Sequence, residues 1–189
     1  MTKIPDIDID FADRKSALVC IEARQAMISK NDKRTPHPSG VYLQNVPIDP
    51  ITGLCAYDYK TAEEKGFIKI DLLNQSIYNS ISDEEHLIKL MNTEPLWDML
   101  SEKIIVENLT HIGKHYDLVQ RISPKSIQEL AIVLALIRPA KRYLLDKDMN
   151  EILDKVWKPE EDGYLFKKAH AISYAMLIVV QMNLMCEEI

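Results

Sequence analysis

Cysteine is scarce: the 189 residues contain three, Cys20, Cys55 and Cys186, an odd number spread far apart. That spacing suggests neither a disulfide framework nor a zinc knuckle, and the three read as reduced thiols. A G-x-x-x-x-G-K-[ST] loop is absent, as are a G-x-S-x-G elbow and an H-E-x-x-H pair, which disfavours a P-loop enzyme, an α/β-hydrolase and a zincin. His111 and His115 stand four apart but read as two exposed helical histidines rather than metal ligands. No internal repeat and no low-complexity tract occurs. The longest apolar stretches, A-I-V-L-A-L-I and Y-A-M-L-I-V-V, are too short and too closely flanked by charge to span a bilayer, and no signal peptide opens the sequence. The expectation is a cytoplasmic protein with no membrane partner. A net charge of −6 argues against a general nucleic-acid coat. A site that gathers carboxylates can still sit beside a local basic surface.

What is present is a soluble balance, 47% hydrophobic and 28% charged residues, with chemistry concentrated at one end. Residues 5–11 read P-D-I-D-I-D-F. In a strand, Asp6, Asp8 and Asp10 share one face, and Ile7, Ile9 and Phe11 share the other. Carboxylates whose Cα atoms lie roughly 6.5–7 Å apart repel one another unless a cation sits between them. An all-oxygen set suits Mg²⁺. The plain alternative is a polar strand face. In G-F-I-K-I-D-L-L at 66–73, Lys69 and Asp71 alternate with apolar residues and supply a further carboxylate.

The coarse reading is α/β (α+β), in two parts. Residues 1–80 form a unit carrying the aspartates, with a helix from Asp13 to about Lys30, a loop over 31–40 bearing Lys33, Arg34 and His37, and strands over 40–46, 54–60 and 66–73. Residues 81–189 form a helical lobe. S-D-E-E at 82–85 starts one helix, Pro95 a second, and Ser123-Pro124 a third that ends at Pro139. A last helix begins near Phe166 and runs to the C-terminus, after a turn at E-E-D-G, 160–163. The carboxylates fit two-metal phosphoryl chemistry, in which ions roughly 3.5–4 Å apart align the attacking and leaving oxygens.

Five separated segments, in order, resemble one family, the C-family replicative polymerases, that is, the alpha subunit of bacterial DNA polymerase III. P-D-I-D-I-D-F resembles its P-D-x-D-x-D-F palm strand. R-T-P-H-P-S-G-V at 34–41 is similar to its R-x-x-x-x-H-x-x-G-V segment, shortened here, and G-F-I-K-I-D-L-L to its G-[LF]-x-K-x-D-[FIL]-L strand. I-S-P-K-S-I-Q-E-L-A-I-V-L-A-L-I-R-P at 122–139 resembles a helix ending in an Arg-Pro-Gly-Pro turn, and F-K-K-A-H-A-I-S-Y-A at 166–175 resembles F-x-K-[SA]-H-A-x-x-Y-[AG].

The resemblance implies a polymerase-beta-like nucleotidyltransferase palm with a mixed sheet and a fingers-like helical lobe packed on it. It implies catalytic, metal-binding Asp8, Asp10 and Asp71 with two Mg²⁺ (Mn²⁺ as a substitute), and a structural Asp6. Lys69, Arg34, His37, Arg138, Lys168 and His170 become nucleotide- or phosphate-binding residues, the ligands being a DNA primer-template and a dNTP. The departures shape the expectation further. The family's Gly-rich G-R-G-S segment has no counterpart, two insertions are shortened, and the Arg-Pro-Gly-Pro turn is Arg138-Pro139-Ala140-Lys141. The expected protein is a minimal or split module whose palm is completed by a second polypeptide or by homo-oligomerisation, with replisome proteins as further partners. An apolar strand surface near Ile7, Ile9 and Phe11, or near Val41 and Leu43, is expected to be exposed for that contact. The alternative is a catalytically silent remnant that binds DNA, nucleotide or a replication protein.

Overall fold

A computed structural model describes residues 7–30, 33–160 and 166–187. Asp6, and residues 161–163 of the expected acidic turn, lie outside the described residues. The fold is mixed α and β, in two compact units, Met1–Ser80 and Ile81–Ile189.

The first unit is built on a four-stranded sheet of order β1-β4-β3-β2, formed by β1 (Ile7–Phe11), β2 (Arg24–Lys30), β3 (Lys33–Tyr42) and β4 (Ile70–Asn74). β1 runs parallel to β4, and β3 is antiparallel to both β2 and β4. The alternation at 5–11 and 66–73 does mark two of these strands. The expected helix from Asp13 to Lys30 is a correction: α1 covers only Arg14–Cys20, capped by the Asp13 side chain on the Lys15 amide, and the chain then turns into β2. Gln25 is the reason. It interrupts the apolar stripe because it belongs to a strand, where Ala26 and Met27 are fully buried.

The expected loop at 31–40 is also largely strand. Met27 pairs with Pro36 and Gln25 with Val41, so two steps along β2 are matched by five along β3, which leaves three extra residues in an arch at His37-Pro38-Ser39-Gly40. Proline gives no N–H to the ladder, and Pro38 falls within this unpaired arch. Segment 54–60 is not a strand: Cys55 makes one isolated bridge with Ile48, and Asp58 caps α2 (Tyr59–Glu64) through the Thr61 amide. A small core of Ala26, Met27, Tyr42, Val46, Cys55 and Ala62 closes the unit.

The second unit is helical: α3 (Glu84–Asn92), α4 (Lys103–Asn108), α5 (Tyr116–Ile122), α6 (Ile127–Leu136), α7 (Met149–Lys155) and α8 (Lys168–Glu187), with 3₁₀ turns at Trp97–Ser101 and Pro139–Leu144. Asp83, not Ser82, caps α3, through its carboxylate on the His86 amide. Ser126 caps α6, whereas Ser123 ends α5 in the left-handed region. Every residue of α6 from Leu130 to Leu136 is buried, so α6 is the axis of this core. α8 packs on it through Ala171, Ala175, Ile178 and Met182. By length and composition α8 could cross a membrane, a test that core helices also pass, and half of its most apolar window is buried in the protein. Asn183, buried in that helix, donates to the Leu90 and Thr93 carbonyls at 2.8 and 2.9 Å and so satisfies the end of α3. His111 and His115 are not on one helix face. His111 sits in a turn with φ of 61° and His115 is the residue before α5, because Gly113 between them belongs to a tight turn.

Candidate functional site

The strand register places the aspartates. On adjacent parallel strands Asp8 pairs directly with Asp71, and Asp10 lies two residues further along β1 on the same face. Asp8 and Asp10 are exposed, while the Asp71 side chain is 17% exposed beneath the β3 arch. The Tyr78 hydroxyl donates to Asp10 Oδ2 at 3.4 Å, and burial, followed by the Asp10 charge, raises the pKa of that phenol.

The arch supplies the partners of Asp71. Gly40 is opposite Asp71 in the sheet, and Ser39 Oγ donates to Asp71 Oδ1 at 2.7 Å. Lys69 Nζ makes an ion pair with Asp71 Oδ2. The Lys69 stem lies over Gly40: a Cβ there would meet Lys69 Cδ at 2.8 Å and His37 Nδ1 at 3.0 Å, so a side chain at this position would displace both. The Lys69 ammonium also stands 5.8 Å from the Tyr59 ring centroid, and the His37 ring meets Tyr59 edge-on at 5.5 Å. Gln25 fastens the arch by donating from Nε2 to the His37 carbonyl at 2.6 Å and the Gly40 carbonyl at 2.9 Å. Arg14 reaches Gln25 Oε1 and the Ser39 carbonyl, each at 3.4 Å.

His37 is neutral here for a geometric reason. Its Nδ1 accepts from the Gly40 amide at 2.9 Å and the Ser39 amide at 3.3 Å, so the proton belongs on Nε2. The 3.6 Å approach of Nδ1 to Asp71 Oδ1 is therefore a contact of two acceptors bridged by Ser39, not an ion pair. Burial, then the Lys69 charge, holds the His37 pKa below its ordinary 6.5, with Asp71 opposing and Arg14 assisting. The unfolded chain takes up this proton first as the pH falls, so the contribution of His37 to stability is full above about pH 6.5 and lost below it. Nitrogen NMR is expected to show the Nε2–H tautomer and a titration midpoint under 6.5. A midpoint above 6.5 would contradict this arrangement.

Arg34 does not join this cluster. Its guanidinium bonds the Cys55 and Ala56 carbonyls and faces Asp49 at 3.7 Å, bracing the loop before α2. The other basic residues expected to bind phosphate are in the second unit, where Arg138 and His170 meet. The Arg138 guanidinium stacks 4.3 Å from the Phe166 centroid and 5.9 Å from that of Tyr174, and His170 Nε2 is 3.0 Å from the Tyr174 hydroxyl. Lys168 stands over Trp157 at 6.0 Å. His111, which the sequence reading left out of this group, lies with its ring 4.4 Å from Tyr174, and its pKa is lowered by desolvation and by Arg138 and His170.

Ser39, Gln25 and Tyr59 also went unassigned from sequence. The one signal for them was Gln25, a polar residue in the middle of an apolar pattern. Among the described residues, no three His, Cys, Asp or Glu side chains stand close enough to hold a metal ion. The backbone register gathers three carboxylates on one face, but the Asp71 carboxylate is turned to Ser39 and Lys69. Comparison with protein-family models and with characterised proteins finds no match.

Proposed function

We propose that the chain is a minimal or split nucleotidyltransferase module that acts on a DNA primer-template and a deoxynucleoside triphosphate, with a palm-like first unit and a fingers-like second unit. The observation that supports this reading is the direct pairing of Asp8 with Asp71, with Asp10 two residues on and Lys69 and His37 beside them. The oxygen-only donor set and the shared strand face fit Mg²⁺, or Mn²⁺ in its place, held by Asp8, Asp10 and Asp71. The bound ions would supply charge neutralisation at the reacting phosphate.

The chain's own residues do the rest. Ser39 holds the Asp71 carboxylate in one orientation. The Lys69 ammonium, on a stem that lies over Gly40, can move onto an anionic phosphate oxygen when Asp71 releases it. Arg138 and Lys168, with the His170 imidazole beside Tyr174, offer a second polar surface suited to a triphosphate. Ile9 and Leu43 are 41% and 59% exposed and are proposed contacts for a second polypeptide or a second copy. Val41, named with them from sequence, is buried because β3 is an inner strand paired on both sides.

The test is primer extension on a labelled primer-template in Mg²⁺ or Mn²⁺, for the chain alone and with its co-purifying partner. Extension that is lost in Asp8→Ala supports the reading; extension indifferent to that change overturns it. A second reading, a silent scaffold that binds DNA, nucleotide or a replication protein, draws on the occupied state of Asp71, both of whose oxygens are already engaged. It predicts binding of primer-template without turnover and without metal dependence.

A further inference from the structure

We propose that Lys69 is a built-in counter-cation that competes with a divalent ion for Asp71, so that metal affinity at the aspartate face is set by how readily this ammonium is displaced. The inference rests on the metal-binding reading of Asp8, Asp10 and Asp71 and adds a device that controls it.

Three observations carry it. First, the pair is half-enclosed, with the Lys69 and Asp71 side chains 19% and 17% exposed, so solvent screens their attraction only in part. Second, Lys69 is held by more than Asp71. Gly40 leaves a groove for its stem, tight enough that even a methyl group there would reach within 2.8 Å of Cδ, and the Tyr59 ring faces its ammonium. Third, the Asp71 oxygens have different partners: Oδ1 accepts from the Ser39 hydroxyl, a neutral donor compatible with a cation on the same carboxylate, whereas Oδ2 is taken by the ammonium.

A divalent ion approaching from the Asp8 side meets a carboxylate whose charge is already neutralised. It gains Asp71 as a ligand only by expelling Lys69, and the expelled ammonium is then free for an anion beside the ion. Ion and anionic substrate are thereby coupled: each is bound better in the presence of the other.

The experiment is Mn²⁺ titration of the full chain, read by the electron paramagnetic resonance of free Mn²⁺ and by the shift in melting temperature. The variants are Lys69→Met, Lys69→Gln and Lys69→Arg, with an Asp8→Asn, Asp10→Asn control. Removing a partly screened ion pair is expected to tighten Mn²⁺ binding about fivefold in Lys69→Met. Lys69→Gln keeps a polar side chain in the groove without charge and should match it, which covers the case in which the methionine variant does not fold. Lys69→Arg should return affinity toward that of the native chain. Saturable binding in the native chain that disappears in the control and is no tighter in either uncharged variant overturns the counter-cation role alone. Absence of saturable binding from every protein overturns the metal reading as well. Binding by the uncharged variants where the native chain shows none supports the inference in its strongest form.

Discussion

On the proposed nucleotidyltransferase reading, changing Asp8 and Asp10 together to asparagine is expected to remove the stabilisation of the chain by Mg²⁺ or Mn²⁺ and to lower nucleotidyl transfer by more than about 100-fold, since loss of even an outer partner of a metal ligand costs 10–100-fold. The expectation follows from the strand register. Both side chains leave β1 on the face that Asp71 shares from the neighbouring strand, and asparagine preserves their shape while discarding the charge that attracts a cation. A ligand present at a hundred times its dissociation constant stabilises the folded state by about 2.7 kcal/mol. The native chain should therefore melt measurably higher in saturating metal, and the double variant should not. Asp71→Asn is a useful companion, because its oxygen can still accept from Ser39 while its pairing with Lys69 is lost. Metal-dependent stabilisation that survives the double change would show that the ion binds elsewhere.

The second large effect concerns the second unit alone. Lys141 is a buried lysine, 1% exposed, at the 3₁₀ turn after α6. Its ammonium donates to the carbonyls of Lys155 at 3.0 Å and Lys158 at 2.6 Å and forms an ion pair with Glu160. Removing one member of a buried pair leaves the other charge uncompensated, at a cost of about 3–5 kcal/mol. Glu160→Ala is expected to destabilise the unit by about 3 kcal/mol, the low end of that range, because the two carbonyls remain. Glu160→Gln, which keeps a hydrogen-bond acceptor without the charge, should lose less. Both tryptophans of the chain, Trp97 and Trp157, belong to this unit, so their fluorescence during denaturant unfolding reports on it. A loss below about 1 kcal/mol in Glu160→Ala would mean that the carbonyls alone satisfy the ammonium.

The sequence was most legible where one physical signal stood by itself. At 5–11 and 66–73 a two-residue alternation marks β1 and β4, although β4 begins only at Ile70 and runs on to Asn74. α6 and α8 could be read because each carries an apolar run too long for an ordinary strand, and Pro139 stops the first of them. β2 could not, and β3 only at its end, where residues 40–42 fall within the expected strand over 40–46. β2 begins Arg24-Gln25, whose polar side chains serve the arch and the Val46 carbonyl rather than solvent, so its pattern mimics a helix losing its stripe. β3 contains Pro36 and Pro38, which signal a loop in isolation, and only its pairing with β2 shows that one is tolerated in the ladder and the other lies in the arch. The partners of Asp71 were hidden for the same reason: Ser39 is thirty-two residues away along the chain, and nothing local announces that the arch will fold over β4.

The arch in β3 also makes the sheet sensitive to whether a change in its length is odd or even. Between the flanking pairs, four residues of β3 stand against one of β2, an odd excess of three, and side chains in a strand change face at every residue. A natural insertion or deletion of two residues in this arch would leave Val41 and Tyr42 facing their present neighbours and alter only what hangs above Asp71. A change of one would exchange the faces of Val41 and Tyr42 and take the Tyr42 ring away from Ala26, Met27 and Val46. Divergence among descendants of this chain should therefore proceed at the arch in pairs of residues, retuning the site while the reading frame of the sheet is kept.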